Sequence, residues 1–299
     1  MLRNLMATLA YDGSDFHGWQ HQPGLRTVQG CLEQALRRVV RHQVLTIGCS
    51  RTDAGVHAAM HISNFFTTSP LPAPIILRGA GSRLPKDMSL INLEEVPLTF
   101  HATRSALGKQ YRYRIHAAKG RPCEHLTQRY TYHVWTPLDM DSMREAAAMW
   151  IGNHDFSSFA SAGNVRESNI RTIRKLEINR EGDEIHLDVE GNGFLYKQVR
   201  NMVGTLVEIG LGKWPAAKAA EILAAKDRSA AGPTAPARGL CLQWVQYDIA
   251  NLPKPDAAML ARAALARPPL GAERAIVDEQ ERGDAPVPES FDLTEEPEA

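Results

Sequence analysis

Two kinds of apolar periodicity occur along the first 250 residues, and they restrict the possible folds more than any other feature of the sequence. Apolar residues at every second position are typical of half-buried strands, and a spacing of three or four residues is typical of helices. Strand patterns occupy residues 5–11, 56–62, 89–93, 111–115, 130–135, 185–189 and 240–247. Helical patterns occupy residues 28–39, 70–83, 142–151, 194–210 and 215–225. Because strict βαβ alternation is absent, we expect an α+β fold rather than a doubly wound parallel sheet.

Particular residues mark where three of these helices begin. Thr27 precedes the first apolar stripe and has the side-chain oxygen that an N-cap requires. Ser142 and Glu145 have the spacing of a capping box, so we expect the third helix to open there. The fourth helix is predicted to begin at Phe194 and to end near Gly210.

Composition excludes several classes of protein. With 43% hydrophobic and 23% charged residues, the chain resembles ordinary globular proteins. Its four cysteines form no C-x-x-C pair, which argues against a disulfide framework and against a zinc knuckle. No apolar run approaches the roughly 18 residues of a membrane helix, and residues 1–10 lack the apolar region of a signal peptide. We therefore expect a cytoplasmic protein with reduced thiols and no membrane partner.

The charge is distributed unevenly although the formal net charge is zero. Residues 251–299 contain 11 acidic and 5 basic side chains, which leaves 29 basic and 23 acidic ones in residues 1–250. The excess of basic charge favours a polyanionic partner for that part of the chain. We predict an N-terminal α+β half at 1–107, a C-terminal α+β half at 108–250, and an acidic, proline-rich tail at 251–299. The tail is predicted to be disordered apart from one short helix at 256–266.

A single carboxylate, Asp53, lies in a turn-like segment that leads into the predicted strand at 56–62. Rigid flanks on both sides would hold such a side chain for nucleophilic or general-base chemistry. An aspartate just before Ala-Gly is also a common turn former. The local sequence leaves both interpretations open.

Asp53, His57 and His61 are spaced by four residues, which on a helix would place them on one face as metal ligands. On a strand, His57 and His61 would lie about 13 Å apart, whereas a zinc ion needs each nitrogen within about 2.1 Å. The period-two pattern favours the strand, so we predict no metal site. A metal-dependent hydrolase built on these three residues remains one alternative function.

The residues alone leave two interpretations open for Tyr111 and favour one for Arg200. Tyr111 is either a core aromatic residue of a strand or a ring offered to a nucleic-acid base, with cations alternating beside it. Arg200 lies one position away from the apolar stripe of its helix, where a surface arginine is the ordinary interpretation.

Five short blocks of sequence follow one another along the chain. They are YDGS at 11–14 with GWQ at 18–20 and TVQ at 27–29, RTDAGVHA at 51–58, YRY at 111–113, FL at 194–195 with VRNMVG at 199–204, and TAPA at 234–237 with GL at 239–240. In this order they resemble the tRNA pseudouridine synthase A family, and the resemblance covers about residues 4 to 248. One departure is Ser50, which stands where the signature block of the family usually has glycine.

The resemblance implies both a fold and an activity. The fold would be two α+β halves around a central antiparallel sheet, with a basic cleft between the halves. The activity would be that of an isomerase converting uridine to pseudouridine in the anticodon stem-loop of tRNA, at positions 38, 39 and 40. The protein would be a homodimer that needs no cofactor and no metal.

The resemblance also implies roles for four residues of this chain. Asp53 would be the catalytic nucleophile, and Arg200 would form an ion pair with it. Arg51 would help to displace the target base, and Tyr111 would contact the target nucleotide. A catalytically silent RNA-binding protein on the same scaffold is the second alternative, and retention of Asp53, Tyr111 and Arg200 together argues against it.

Overall fold

The computed structural model describes residues 1–118, 127–161 and 168–253. Most of the predicted tail at 251–299, including the helix predicted at 256–266, lies outside the described residues. Within the described ranges, no helix combines the length and the apolar content that a membrane span requires.

The described residues form ten strands and five α-helices. The strands are β1 Arg3–Tyr11, β2 Thr46–Gly48, β3 His57–Thr67, β4 Met88–Val96, β5 Ala106–His116, β6 Tyr132–His133, β7 Gly152–Asp155, β8 Ile170–Glu181, β9 Glu184–Gly191 and β10 Leu240–Tyr247. The helices are α1 Val28–Val40, α2 Ala73–Gly81, α3 Met140–Ala148, α4 Gln198–Gly210 and α5 Lys218–Ala225. The predicted α+β class is confirmed.

All ten strands belong to one sheet, with the order β4-β1-β3-β10-β5-β9-β8-β7 and with β2 and β6 paired to β3 and β5. The pairings are antiparallel except for β10 with β3 and β5 with β6. The last strand, β10, therefore joins the strands of residues 3–96 to those of residues 106–191. The predicted boundary after residue 107 falls inside β5 and stays a prediction.

Helix α1 shows how the apolar pattern becomes packing. The Thr27 side chain accepts a hydrogen bond from the Gly30 N–H, so the predicted N-cap is confirmed. The core side of α1 consists of Val28, Leu32, Ala35, Leu36 and Val40. Full burial of a Leu or Val side chain contributes about 1.5 to 3 kcal/mol to folding, so this face fastens the helix to the sheet.

The predicted start of α3 at Ser142 is wrong. Asp139 caps this helix instead, because its carboxylate accepts hydrogen bonds from the Asp141 and Ser142 N–H groups. Ser142 therefore lies in the first turn, and its hydroxyl donates to the Asp139 carboxylate at 2.7 Å. The sequence is compatible with a capping box at Ser142 and also with an aspartate cap three residues earlier. The structure has the aspartate cap.

The predicted start of α4 at Phe194 is also wrong, because the helix begins at Gln198. Lys197 has a left-handed backbone conformation with φ of 59°, which interrupts the helix before Gln198. The Gln198 side chain accepts a hydrogen bond from the Leu195 N–H at 2.8 Å and fastens the preceding turn. Phe194 is consequently free of the helix and packs edge-on against Tyr111, with ring centroids 5.3 Å apart.

Candidate active site

The loop that contains Asp53 connects β2 to β3 and is held by the N-terminal segment of the chain. The Tyr11 hydroxyl hydrogen bonds to Thr52 Oγ1 at 2.9 Å, and the backbone N–H of Trp19 donates to the Thr52 carbonyl at 3.0 Å. Thr52 is buried, whereas the adjacent Asp53 is half-buried. The residue before the carboxylate is thus anchored through both its side chain and its backbone.

Gly18 allows the backbone of this segment to approach the Asp53 loop closely. Its φ is +88°, which L side chains rarely adopt. A Cβ atom at this position would lie 2.7 Å from the Thr52 carbonyl oxygen and 3.1 Å from the Ala54 nitrogen. The contact leaves no room for a methyl group, so the loop position depends on glycine.

Replacing Gly18 with alanine should destabilise the protein by about 2 to 4 kcal/mol, because backbone strain and the clash with Thr52 act together. Gly24 provides the matched control, since its φ is also positive, at +71°, and nothing lies within 4 Å of a Cβ built there. Gly24→Ala should cost only about 1 kcal/mol. Urea unfolding of both variants measures the difference, and equal losses would contradict the close approach at Gly18.

Arg200 lies in the first turn of α4 and points to the Asp53 carboxylate. Its Nη1 donates to Asp53 Oδ2 at 2.5 Å, and its Nε donates to the Ala235 carbonyl at 2.8 Å. The Ala235 N–H donates back to the Arg200 carbonyl at 3.1 Å. Only 13% of the Arg200 side chain and 15% of the Asp53 side chain are exposed, so water screens this ion pair less than a surface pair.

The segment that supplies Ala235 is fixed against α4 and β5. The Tyr113 hydroxyl donates to the Pro236 carbonyl at 2.7 Å. A Cβ atom at Gly204 would collide with the Pro233 carbonyl, so α4 and this segment are in direct backbone contact. Arg200 therefore has a rigid acceptor on one side and Asp53 on the other.

Tyr111 projects from β5 into the same region and is 6% exposed. Its hydroxyl hydrogen bonds to Ser50 Oγ at 2.8 Å. Burial raises the pKa of Tyr111 well above its ordinary value, and the nearby charge of Asp53 adds to this effect. Tyr111 thus presents a protonated hydroxyl near Asp53, and its ring is covered by the core.

Arg51 lies two residues before Asp53 and is exposed. Within the described part of the chain it has no hydrogen bond or ion pair, in contrast to Arg200. The structure therefore brings Asp53, Arg200 and Tyr111 together and leaves Arg51 at the surface beside them.

His57 and His61 do not join Asp53 as a set of metal ligands. His57 Nδ1 accepts a hydrogen bond from the Gly13 N–H, and its Nε2 donates to the Arg238 carbonyl. His61 stacks on Trp19 with ring centroids 3.9 Å apart. Among the described residues, no three His, Cys, Asp or Glu side chains are grouped to hold a metal ion. The three-residue metal site of the alternative hydrolase is not formed.

Several residues that build this site had no assigned role in the sequence. Tyr11, Gly18 and Trp19 belong to the first motif block, yet nothing in that block shows that it supports the Asp53 loop. Ala235 acts through its backbone carbonyl, which side-chain chemistry cannot reveal. The sequence marks these residues by placing them in the ordered motif blocks, and it does not indicate what they contact.

Comparison with known proteins agrees with these motifs. A sequence model described as tRNA pseudouridine synthase matches residues 7–104 and 146–248, which is more than half of the chain. The chain belongs to the tRNA pseudouridine synthase family. The resemblance and the enzyme class predicted from the sequence, an isomerase, are thereby confirmed. Asp53 lies in the first matched segment of this synthase family and Arg200 in the second, whereas Tyr111 lies between them.

Individual relatives in the synthase family match over nearly their whole length. The tRNA pseudouridine synthase A of Halalkalibacterium halodurans is 45% identical over 243 residues, which are 80% of this chain and 90% of the relative. The protein of the same name from Thermoanaerobacter sp. (strain X514) is 42% identical over 247 residues, or 82% of this chain and 100% of the relative. The tRNA pseudouridine synthase A 2 of Clostridium perfringens is 41% identical over 246 residues, with the same two shares.

Proposed function

We propose that the protein converts uridine to pseudouridine in the anticodon stem-loop of tRNA, at positions 38, 39 and 40, with Asp53 as the nucleophile. The observation that supports this proposal most is the ion pair between Asp53 and Arg200, with 2.5 Å between Oδ2 and Nη1. The two residues are 147 positions apart in sequence. The pair brings residues of separate motif blocks together at one place in the fold.

The reaction breaks the N1–C1′ glycosidic bond, rotates the base and joins C5 to C1′. The product contains the same atoms as the substrate, so the stoichiometry requires no co-substrate. An anionic oxygen serves this chemistry by attacking an electron-poor carbon, and a base must later remove the C5 proton. Asp53 supplies the anionic oxygen in this proposal.

Arg200 orients Asp53 by using two sides of its planar guanidinium. One side holds Oδ2 of Asp53, and Nε is fixed on the Ala235 carbonyl. A group held at both ends loses little freedom when substrate binds, which favours a defined angle of attack. The same contact also fixes the orientation of the second carboxylate oxygen, Oδ1.

The target uridine must leave its stacked position before Asp53 can reach it, because the reacting atoms are inaccessible inside a stem or a stacked loop. Arg51 is suited to fill the space that the base vacates, since it is exposed and only two residues from Asp53. Tyr111, on β5, would contact the nucleotide through its hydroxyl. These are the proposed substrate contacts.

The proposed partner is tRNA, which two protomers of a homodimer would bind together in a basic cleft. The excess of six basic side chains over acidic ones in residues 1–250 supports attraction to a polyanion. Sedimentation velocity, with and without tRNA, tests the homodimer. The cytoplasmic location stays a prediction.

Removing residues 254–299 should leave folding and activity intact and should strengthen tRNA binding at low salt. Ile249 and Leu252 pack against the core, so the cut must follow residue 253. The removed segment has 11 acidic and 5 basic side chains, and its charge repels RNA most when screening is weak. Dissociation constants at low and high salt measure this effect. Loss of soluble protein or of activity would contradict it.

The position of the target uridines is tested with paired tRNA transcripts. One transcript has uridine at positions 38, 39 and 40, and its partner has cytidine there with compensating changes in the stem. We expect pseudouridine only in the first transcript, with equal binding of both. Pseudouridine elsewhere would overturn the positions, and binding of both without any product would favour the catalytically silent RNA-binding protein.

A further inference from the structure

The hydroxyl of Tyr111 has one hydrogen-bond partner among the described residues, and that partner is Ser50. The distance between Tyr111 Oη and Ser50 Oγ is 2.8 Å. Tyr111 is buried, and Ser50 is half-buried in the loop that leads to Asp53. A hydroxyl in such surroundings pays a desolvation cost unless it is hydrogen-bonded. The contact therefore fixes the position of the Tyr111 hydroxyl oxygen.

The backbone at Cys49 and Ser50 is held by two side chains. Lys109 Nζ donates to the Cys49 carbonyl at 2.5 Å, and His61 Nε2 donates to the Ser50 carbonyl at 3.0 Å. Burial lowers the pKa of His61 to about 3, so the imidazole is neutral at ordinary pH and its Nε2 proton serves this hydrogen bond. The backbone position of Ser50 is thus fixed.

The anchored imidazole also connects Ser50 with the rest of the Asp53 loop. His61 stacks on the Trp19 ring, and the backbone N–H of Trp19 donates to the Thr52 carbonyl. Ser50 and Thr52 flank Arg51 and are restrained through the same pair of aromatic residues. Only Arg51 and Thr52 therefore separate Ser50, which contacts Tyr111, from Asp53, and this short segment is restrained at Ser50 and at Thr52.

We propose that Ser50 is a positioning residue, which through its hydroxyl fixes the Tyr111 hydroxyl next to Asp53 for contact with the target nucleotide. The inference rests on the proposed function of Asp53 and Tyr111 and extends it to a residue that has no assigned role. Ser50 does not touch the reacting atoms in this account. It acts only through Tyr111.

A double-mutant cycle between Ser50 and Tyr111 tests the inference. The variants are Ser50→Ala, Ser50→Thr, Tyr111→Phe and the combination of Ser50→Ala with Tyr111→Phe. Ser82→Ala, at an exposed position directly after α2, is the matched control. Each variant is mixed in excess with an unmodified tRNA transcript. The single-turnover rate of pseudouridine formation and the dissociation constant for tRNA are measured separately, together with the thermal unfolding midpoint.

We expect Ser50→Ala to slow the single-turnover rate about three- to tenfold, the range for loss of one neutral hydrogen bond. The dissociation constant should change less than about twofold, since binding contacts are kept. Ser50→Thr should restore the rate because it retains a hydroxyl, and Ser82→Ala should match the wild type. In the Tyr111→Phe background, Ser50→Ala should have no further effect, because the partner hydroxyl is already absent.

Two results would overturn the inference alone. One is a wild-type rate in Ser50→Ala, and the other is an equal loss from Ser50→Ala with and without the Tyr111 hydroxyl. If Ser50→Ala strongly lowers the thermal unfolding midpoint, Tyr111→Phe takes its place in the test, because it removes the same hydrogen bond from the other side. The inference then requires Tyr111→Phe to slow the reaction at least as much. Absence of pseudouridine with the wild-type protein would overturn both the inference and the proposed function.

Discussion

Replacing Asp53 with asparagine should abolish pseudouridine formation and leave folding and tRNA binding unchanged. The amide has the shape of the carboxylate but no anionic oxygen, so the nucleophile of the proposed reaction is absent. We expect the single-turnover rate to fall by at least about 10³-fold, as for other removed nucleophiles. The measurement is the rate of pseudouridine formation with enzyme in excess, next to the dissociation constant for the same transcript.

Asp141→Asn is the matched control for this substitution. Asp141 also pairs with an arginine, Arg144, at 2.9 Å, but its side chain is 93% exposed on α3. Its replacement should change neither rate nor binding, because an exposed ion pair contributes little. Substantial turnover by Asp53→Asn protein of verified sequence would contradict the nucleophile assignment.

Replacing Arg200 with lysine should lower the single-turnover rate about 10²-fold with tRNA binding mostly preserved. Lysine keeps the positive charge but lacks the planar fork that serves Asp53 and the Ala235 carbonyl together. The carboxylate then loses its fixed orientation, and small errors in the position of a reacting group are costly. The two measurements are again the single-turnover rate and the dissociation constant for tRNA.

Arg144 offers a close control for Arg200. Its Nη1 donates to an aspartate, Asp141, and its Nε donates to the Ile178 carbonyl at 3.0 Å, which is the same arrangement in an exposed setting. Arg144→Lys should be close to the wild type in rate. A wild-type rate for Arg200→Lys would show that Arg200 only supports the fold and does not orient Asp53.

Local sequence predicted the elements whose pattern is regular. The apolar stripe of α1 and the alternation of apolar residues in β5 and β9 are visible in the sequence, because the apolar side chains of each element lie on one face. Strand β8 was not predicted, since the pairing register shifts between Ile173 and Lys175 and the bulge breaks the period-two pattern. The predicted strand at 130–135 was too long, because a 3-10 turn at Gln128–Tyr130 occupies its beginning and only Tyr132–His133 pairs.

The arrangement of the sheet and the site depends on contacts between distant parts of the chain. Strand β10 pairs in parallel with β3 through Cys241 and His57, and no local pattern specifies that neighbour. The ion pair between Asp53 and Arg200 also joins distant parts of the chain, so no local pattern specifies it. The position of Arg200 on its helix predicts a surface arginine, and only the ordered motif blocks suggest the partner that the structure places beside it. The catalytic role of the pair stays a proposal.

The most direct measurement is a map of pseudouridine at nucleotide resolution in a full set of unmodified tRNA transcripts, after incubation with the wild-type protein and with Asp53→Asn. The account predicts pseudouridine in the anticodon stem-loop with the wild-type protein and none with the variant, although both bind the transcripts equally. Wild-type protein that binds the transcripts and forms no pseudouridine at any uridine, or equal maps for the two proteins, would contradict it.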